Sequence, residues 1–244
     1  MPRQLDRRAI LRFGGLVAGG ALLSACTATA ETTAAETGES ESAEHSTLTA
    51  EEALDRLRYG NRRFAGGNAI HPDEGAERRK ELATGQHPIA TILSCVDSRV
   101  PPELVFDEGL GDLFVIRTAG QVVDHAVLGS IQFGVHELHI PLVVVLGHSA
   151  CGAVKATIEA IEKNSPATNS DVDALVAAIK PAVEKAKEDK PKDLVQATVR
   201  KNINNVLSTL SKAAILSTEI AERKLTIVGA YYDLATGKVE FPKD

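Results

Sequence analysis

Cys95, His148 and Cys151 are residues of this 244-residue chain whose types and spacing can do chemistry together. Two sulfurs and one imidazole make a zinc ligand set, and three protein ligands leave a fourth position for water or substrate. His148-Ser149-Ala150-Cys151 puts two of the three on one short loop. In Cys95-Val96-Asp97-Ser98-Arg99 a carboxylate follows the first sulfur by two residues and a guanidinium follows it by two more. On a near-extended backbone these three side chains would point to the same side. Beside a metal, an aspartate either coordinates the ion or accepts a proton from its water. The competing reading is of two small buried thiols, a packed histidine and an exposed ion pair of little consequence.

Residues this far apart in sequence need a scaffold that gathers them. Pro88 to Ser94, Asp112 to Arg117, Pro141 to Gly147 and Leu225 to Tyr232 are compact apolar runs that read as strands. The third carries three consecutive valines, which favour strand over helix. A hairpin-like Leu234 to Lys238 leads to a short edge strand, Val239 to Phe241. Helical patterns fill the intervals: an N-cap at Thr49 with a helix running to Phe64, then Glu77 to Ala83, Val127 to Glu137, Cys151 to Glu162, Asp171 to Glu188 and Asp193 to Ser217. This alternation predicts an α/β fold: a central, mainly parallel β-sheet with flanking helices and a short antiparallel edge strand. Ligands bind such sheets outside the carboxyl ends of the strands. Cys95 ends the first strand, and His148 and Cys151 follow the third. Cys151 would also open a helix, where free N–H groups favour its thiolate.

Composition narrows the function classes. With 43% hydrophobic and 25% charged residues the chain is an ordinary globular protein. A formal charge of −6, 4% aromatics and no Trp argue against a nucleic-acid surface. Three cysteines are too few, and odd in number, for a disulfide framework. The amino terminus stands apart. Arg3, Arg7, Arg8 and Arg12 precede an apolar run from Phe13 to Ala25, too short for a membrane span. Arg7 to Arg12 resembles a twin-arginine export signal, and Leu23-Ser24-Ala25-Cys26 resembles a lipobox in which Cys26 is lipidated. Residues 1–25 are therefore expected to be a signal peptide. Residues 26–46, rich in Ala, Thr, Glu and Ser, are expected to be a disordered tether, and residues 47–244 the zinc domain. The expected location is outside the cytoplasm, either lipid-anchored on the outer face of the cytoplasmic membrane or in the periplasm.

Cys95-Val96-Asp97-Ser98-Arg99-Val100 and Gly147-His148-Ser149-Ala150-Cys151-Gly152 resemble the signature blocks of β-class carbonic anhydrases. Phe114 to Gly120, Ser130 to Val135 and Gly229 to Leu234 extend the resemblance in order, so that it spans about Leu48 to Phe241. It implies zinc on Cys95, His148 and Cys151, and a catalytic dyad of Asp97 and Arg99. The implied reaction is reversible hydration of carbon dioxide to bicarbonate and a proton, by hydroxide on the metal. Pocket-lining positions fall on Gln86, Phe114, Ala119 and Phe133, the last at a place often held by Tyr. Ile92 stands where some members carry a regulatory Trp. The resemblance also implies a homodimer or higher homo-oligomer with pocket residues from the neighbouring subunit. Two alternatives stay open from sequence: hydrolysis of carbon disulfide or carbonyl sulfide at the same site, and a non-catalytic lipid-anchored zinc-binding domain.

Overall fold

Val143, Val144 and Val145 are fully buried in β3 (Leu142–His148), the strand at the middle of the sheet. A computed structural model describes residues 48–241. The expected signal peptide, the tether and Cys26 lie outside the described residues. The sheet has the order β2-β1-β3-β4-β5, with β1 at Ala90–Cys95, β2 at Leu113–Thr118, β4 at Thr226–Tyr232 and β5 at Val239–Glu240. The first four are mutually parallel, and only β5 runs antiparallel, against β4. The fold is thus the predicted one. The period-2 alternation of β1 and β3 divides the core between the two faces. Leu93, Val143 and Val145 face one cluster, and Ala90, Ile92, Leu142, Val144 and Leu146 face the other.

The second cluster is covered by α1 (Ala50–Ala65) and the short α3 (Pro102–Val105), with α2 (Ala76–Glu81) contributing no buried residue. Thr49 and Glu52 close a capping box that starts α1. Gly60 lets this helix lie against the chain after α3: a Cβ there would meet the Phe106 carbonyl oxygen at 1.6 Å. Three polar anchors fix it. The Asn61 amide donates to the carbonyls of Val105 (3.0 Å) and Gly237 (2.9 Å), Arg56 forks onto buried Glu108, and Arg63 pairs with buried Asp107. Such buried carboxylates are tolerated because each is paired and hydrogen-bonded.

The opposite face carries α4 (His125–Glu137), α5 (Gly152–Glu162), α6 (Val172–Glu188), α7 (Leu194–Ser211) and α8 (Ala214–Ala221). The last two correct the expectation of one helix over Asp193 to Ser217. Ala213 is extended (φ −69°, ψ 129°) and separates them. Leu210 and Leu216 are both fully buried in the same cluster. Six residues apart on a straight helix they would point about 120° away from each other, so the break lets both face the core. Among the described residues no helix is long and apolar enough to cross a membrane.

Candidate metal centre

The strand order creates the site. From β1 the chain moves to one side for β2, then crosses back to the other side for β3. Parallel sheets open a crevice where such a reversal occurs, at the carboxyl ends of the strands. Cys95 is the last residue of β1 and His148 the last of β3. The β1–β3 register, with Ser94 opposite Leu146, brings those ends side by side. Cys151 caps the amino terminus of α5. Between His148 and Cys151, Ala150 takes a left-handed conformation (φ 54°) that tightens the loop. Ser149 ties the loop to β4: its N–H donates to the Tyr232 carbonyl and its Oγ accepts from the Leu234 N–H, both at 2.9 Å.

All three side chains are buried, and their ligand atoms lie within 4.8 Å of one another. His148 Nδ1 sits 2.9 Å from the Ser149 carbonyl. Donating its proton there leaves Nε2 as a lone pair, which fixes the tautomer a metal requires. Nε2 is buried and has no hydrogen-bond partner among the described residues. The thiols are poised for the same role. The hydrogen bond from Cys151 pushes the Cys95 thiol down to about 4, helped by His148 and by the Gly120 N–H. Cys151 is pushed up, because its proton is the one shared with the Cys95 sulfur and because it is buried. A divalent cation would replace that proton. Two soft sulfurs and the orphaned buried nitrogen of one imidazole fit zinc.

Gly120 donates its N–H to Cys95 Sγ at 3.4 Å from a three-residue 3₁₀ turn, Ala119–Gln121, that follows β2. Its φ of 67° is left-handed, which favours glycine, and a Cβ there would lie 2.7 Å from Ile179 Cδ1, so that the isoleucine would have to shift. Buried Asn202 on α7 donates to the Gly120 carbonyl at 2.7 Å and fixes that peptide.

Asp97 and Arg99 meet, although by a different route from the expected extended alternation. The backbone turns at Asp97, whose carbonyl accepts from the Val100 N–H at 3.0 Å. Asp97 Oδ1 then accepts from the Arg99 N–H (3.0 Å) and Nε (2.9 Å), and Oδ2 from Nη2 (2.7 Å). A short polar side chain bonding its own backbone two residues on is what favours such a turn. The Arg99 hydrogen bonds hold the Asp97 carboxyl well below the usual carboxylate range. Oδ2 also lies 3.9 Å from His148 Nε2, which puts the carboxylate at the edge of the ligand cluster.

The four expected pocket residues do not converge within one chain. Ala119, half-buried, adjoins Gly120 at the site. Phe114 is paired with Thr91, four residues back from the Cys95–Thr118 pair. It meets Phe133 of α4, ring centroids 6.5 Å apart, and Phe133 is 49% exposed. Gln86 is exposed and precedes β1 at the end opposite Cys95. Sequence reasoning gave no role to four residues that build the site: Arg117, whose guanidinium donates to two backbone carbonyls of the Cys95–Asp97 segment, Gly120, Asn202 and Ser149. A signal existed for Arg117, a charged residue near the carboxyl end of an otherwise apolar strand.

The carbonic anhydrase family model matches residues 90–239. A carbonic anhydrase of Mycolicibacterium smegmatis is 40% identical over 189 residues, 77% of this chain and 91% of the relative. Carbonic anhydrase 2 of Mycobacterium tuberculosis is 41% identical over 186 residues, 76% and 89% of the two chains. Among solved structures, the β-carbonic anhydrase CafA of Aspergillus fumigatus superposes with a TM-score of 0.61 at 25% identity, over 78% of this chain and 90% of that one. The β-carbonic anhydrase CcaA gives 0.63 at 24% identity, over 78% and 92%. With the Cys-His-Cys cluster at the switch point of a matching sheet, the chain belongs to the β-class carbonic anhydrases, zinc lyases that hydrate carbon dioxide.

Proposed function

We propose that this chain carries out that reaction at Cys95, His148 and Cys151, which hold one zinc ion, with Asp97 and Arg99 as its catalytic dyad. The observation that carries the assignment is the buried His148 Nε2, without a hydrogen-bond partner among the described residues, within 4.8 Å of two thiols and 3.9 Å from the Asp97 carboxylate. A zinc ion held there would supply Lewis acidity and so lower the pKa of a water molecule. The remaining work belongs to the chain. Arg99 engages both oxygens of Asp97 and so keeps the carboxylate from joining the ligand cluster. Held ionised, Asp97 can only accept: it takes a hydrogen bond from the attacking hydroxyl and aims the oxygen lone pair at the carbon of carbon dioxide. Attack gives bicarbonate, and the proton released from water leaves to solvent. The assay is stopped-flow carbon dioxide hydration on protein of measured zinc content. Zinc-replete protein with no hydration above the uncatalysed rate would refute the assignment.

The pocket is proposed to be completed by a second copy of the chain. In support, β2 has a strand partner on one side only among the described residues, its six residues are all half-buried, and Phe133 lies exposed beside it. Gln86, Phe114 and Phe133, remote from their own Cys95, would serve the neighbouring centre as the substrate pocket beside Ala119.

Lipid anchoring at Cys26 and export by a twin-arginine signal are proposed from the sequence alone. The Arg7→Lys/Arg8→Lys double variant is expected to accumulate in the cytoplasm, as followed by cell fractionation. Cys26→Ala is expected to be exported yet to leave the membrane fraction. Unchanged delivery of the first variant, or unchanged membrane association of the second, would contradict the respective half of this reading.

A further inference from the structure

Arg117 has an environment that its place in the sheet does not explain. It lies in β2, the strand at the sheet's edge, opposite Ser94 of β1. A half-buried guanidinium ordinarily finds a carboxylate, yet among the described residues none pairs with this one. Its donors go instead to two backbone carbonyls: Nε to that of Cys95 at 2.9 Å and Nη2 to that of Asp97 at 2.6 Å. Those two carbonyls bracket Val96, and so enclose the three-residue segment that carries both the first sulfur and the dyad carboxylate. At this point the β1 ladder ends. The Val96 N–H makes the last bond to β2, at 3.2 Å from the Thr118 carbonyl, and the chain then turns at Asp97. Past a strand end a backbone has no regular partner for its carbonyls. Here one planar fork reaches both, joining the Val100 N–H on the Asp97 carbonyl, and it comes from a strand that also leads into Gly120, the donor to Cys95 Sγ.

We propose that Arg117 is a positioning residue of the metal centre. Its fork fixes the separation between the Cys95 sulfur and the Asp97 carboxylate by holding the two backbone carbonyls that bracket Val96. The inference rests on Cys95 being a zinc ligand and Asp97 a member of the dyad. Geometry makes arginine specific for the task. A lysine brings the same charge on a flexible stem, but as a compact point donor without two coplanar N–H groups in fixed directions. Loss of a partner that orients metal ligands typically costs about tenfold to a hundredfold in metal affinity or activity.

Arg117→Lys is the test. The folded variant is expected to lose zinc to a chelator faster and to show kcat lowered, each by about tenfold to a hundredfold, with KM little changed. The thiolate-to-metal absorption band of its cobalt-substituted form is expected to shift. In an Asp97→Ala background the kcat loss should largely vanish, because the carboxylate it positions is gone, while the faster loss of zinc should persist through Cys95. A variant with only a lower melting temperature, and with wild-type kcat, chelator resistance and cobalt spectrum, would reduce Arg117 to a structural residue and overturn the proposal. So would failure of Arg117→Lys to fold, which would assign the fork to folding. Zinc-free or inactive wild-type protein would sink the underlying assignment instead, and that result is visible before any variant is made.

Discussion

Asp97→Asn protein is expected to retain its zinc and its fold while losing about a hundredfold to a thousandfold in kcat, within the range that a positioned proton-transfer group contributes. The substitution keeps the size of the side chain and removes its charge. Both oxygens of Asp97 accept from Arg99, so the NH₂ of the amide meets an Arg99 donor, donor against donor, whichever oxygen it replaces. With the NH₂ at the Oδ2 position the acceptor that now sits 3.9 Å from His148 Nε2 is lost, and at the Oδ1 position the clash with the Arg99 donors turns the side chain. Stability should change little. Asp97 is bound by a guanidinium whose side chain is 55% exposed, and ion pairs open to solvent add little to stability. Arg99→Ala should also lower kcat, and the double variant should be little worse than Asp97→Asn alone, since residues that act as a unit are not additive. Zinc content by elemental analysis and kcat by stopped flow check the prediction together. Near-normal turnover in zinc-replete Asp97→Asn protein would remove the dyad from the mechanism.

Cys151→Ser should have the larger effect. Oxygen replaces sulfur at nearly the same size, but a serine hydroxyl stays protonated at neutral pH and does not replace a thiolate as a ligand. The remaining sulfur and imidazole would hold zinc too weakly to survive purification. Losing several kcal/mol of Lewis-acid stabilisation corresponds to a fall in activity of about a thousandfold or more. The fold should persist, because the cluster sits at the sheet's end while most members of both cores are aliphatic side chains. Circular dichroism with metal analysis separates the two outcomes. A Cys151→Ser protein that is folded, zinc-replete and active would place the metal elsewhere.

What was legible in the sequence follows from how local each determinant is. Apolar strand runs such as the three successive valines, the Cys-Val-Asp-Ser-Arg block and the His-Ser-Ala-Cys loop need only their neighbours to be interpreted, and the parallel sheet and the ligand set could be read from them. The break at Ala213 could not, since Leu210 and Leu216 fit a helical pattern until the position of the core decides which way each must face. The route by which Arg99 reaches Asp97 was also hidden, because a turn held by the aspartate's own side chain competes with extension and wins at the strand end. Arg117, Asn202 and Gly120 reach the site through contacts 22, 82 and 25 residues apart in sequence. No spacing rule reports such contacts. The pocket residues present the converse case: Gln86, Phe114 and Phe133 are identified by resemblance, and a single chain leaves them away from its own metal centre.

Zinc K-edge X-ray absorption on the purified chain, with metal stoichiometry measured on the same sample, examines the ligand assignment most directly. One zinc per chain, bound by two sulfurs and an imidazole nitrogen with a light-atom neighbour completing the shell, is the predicted result. Protein devoid of zinc with Cys95 and Cys151 joined in a disulfide, or zinc in a shell without sulfur, would contradict it.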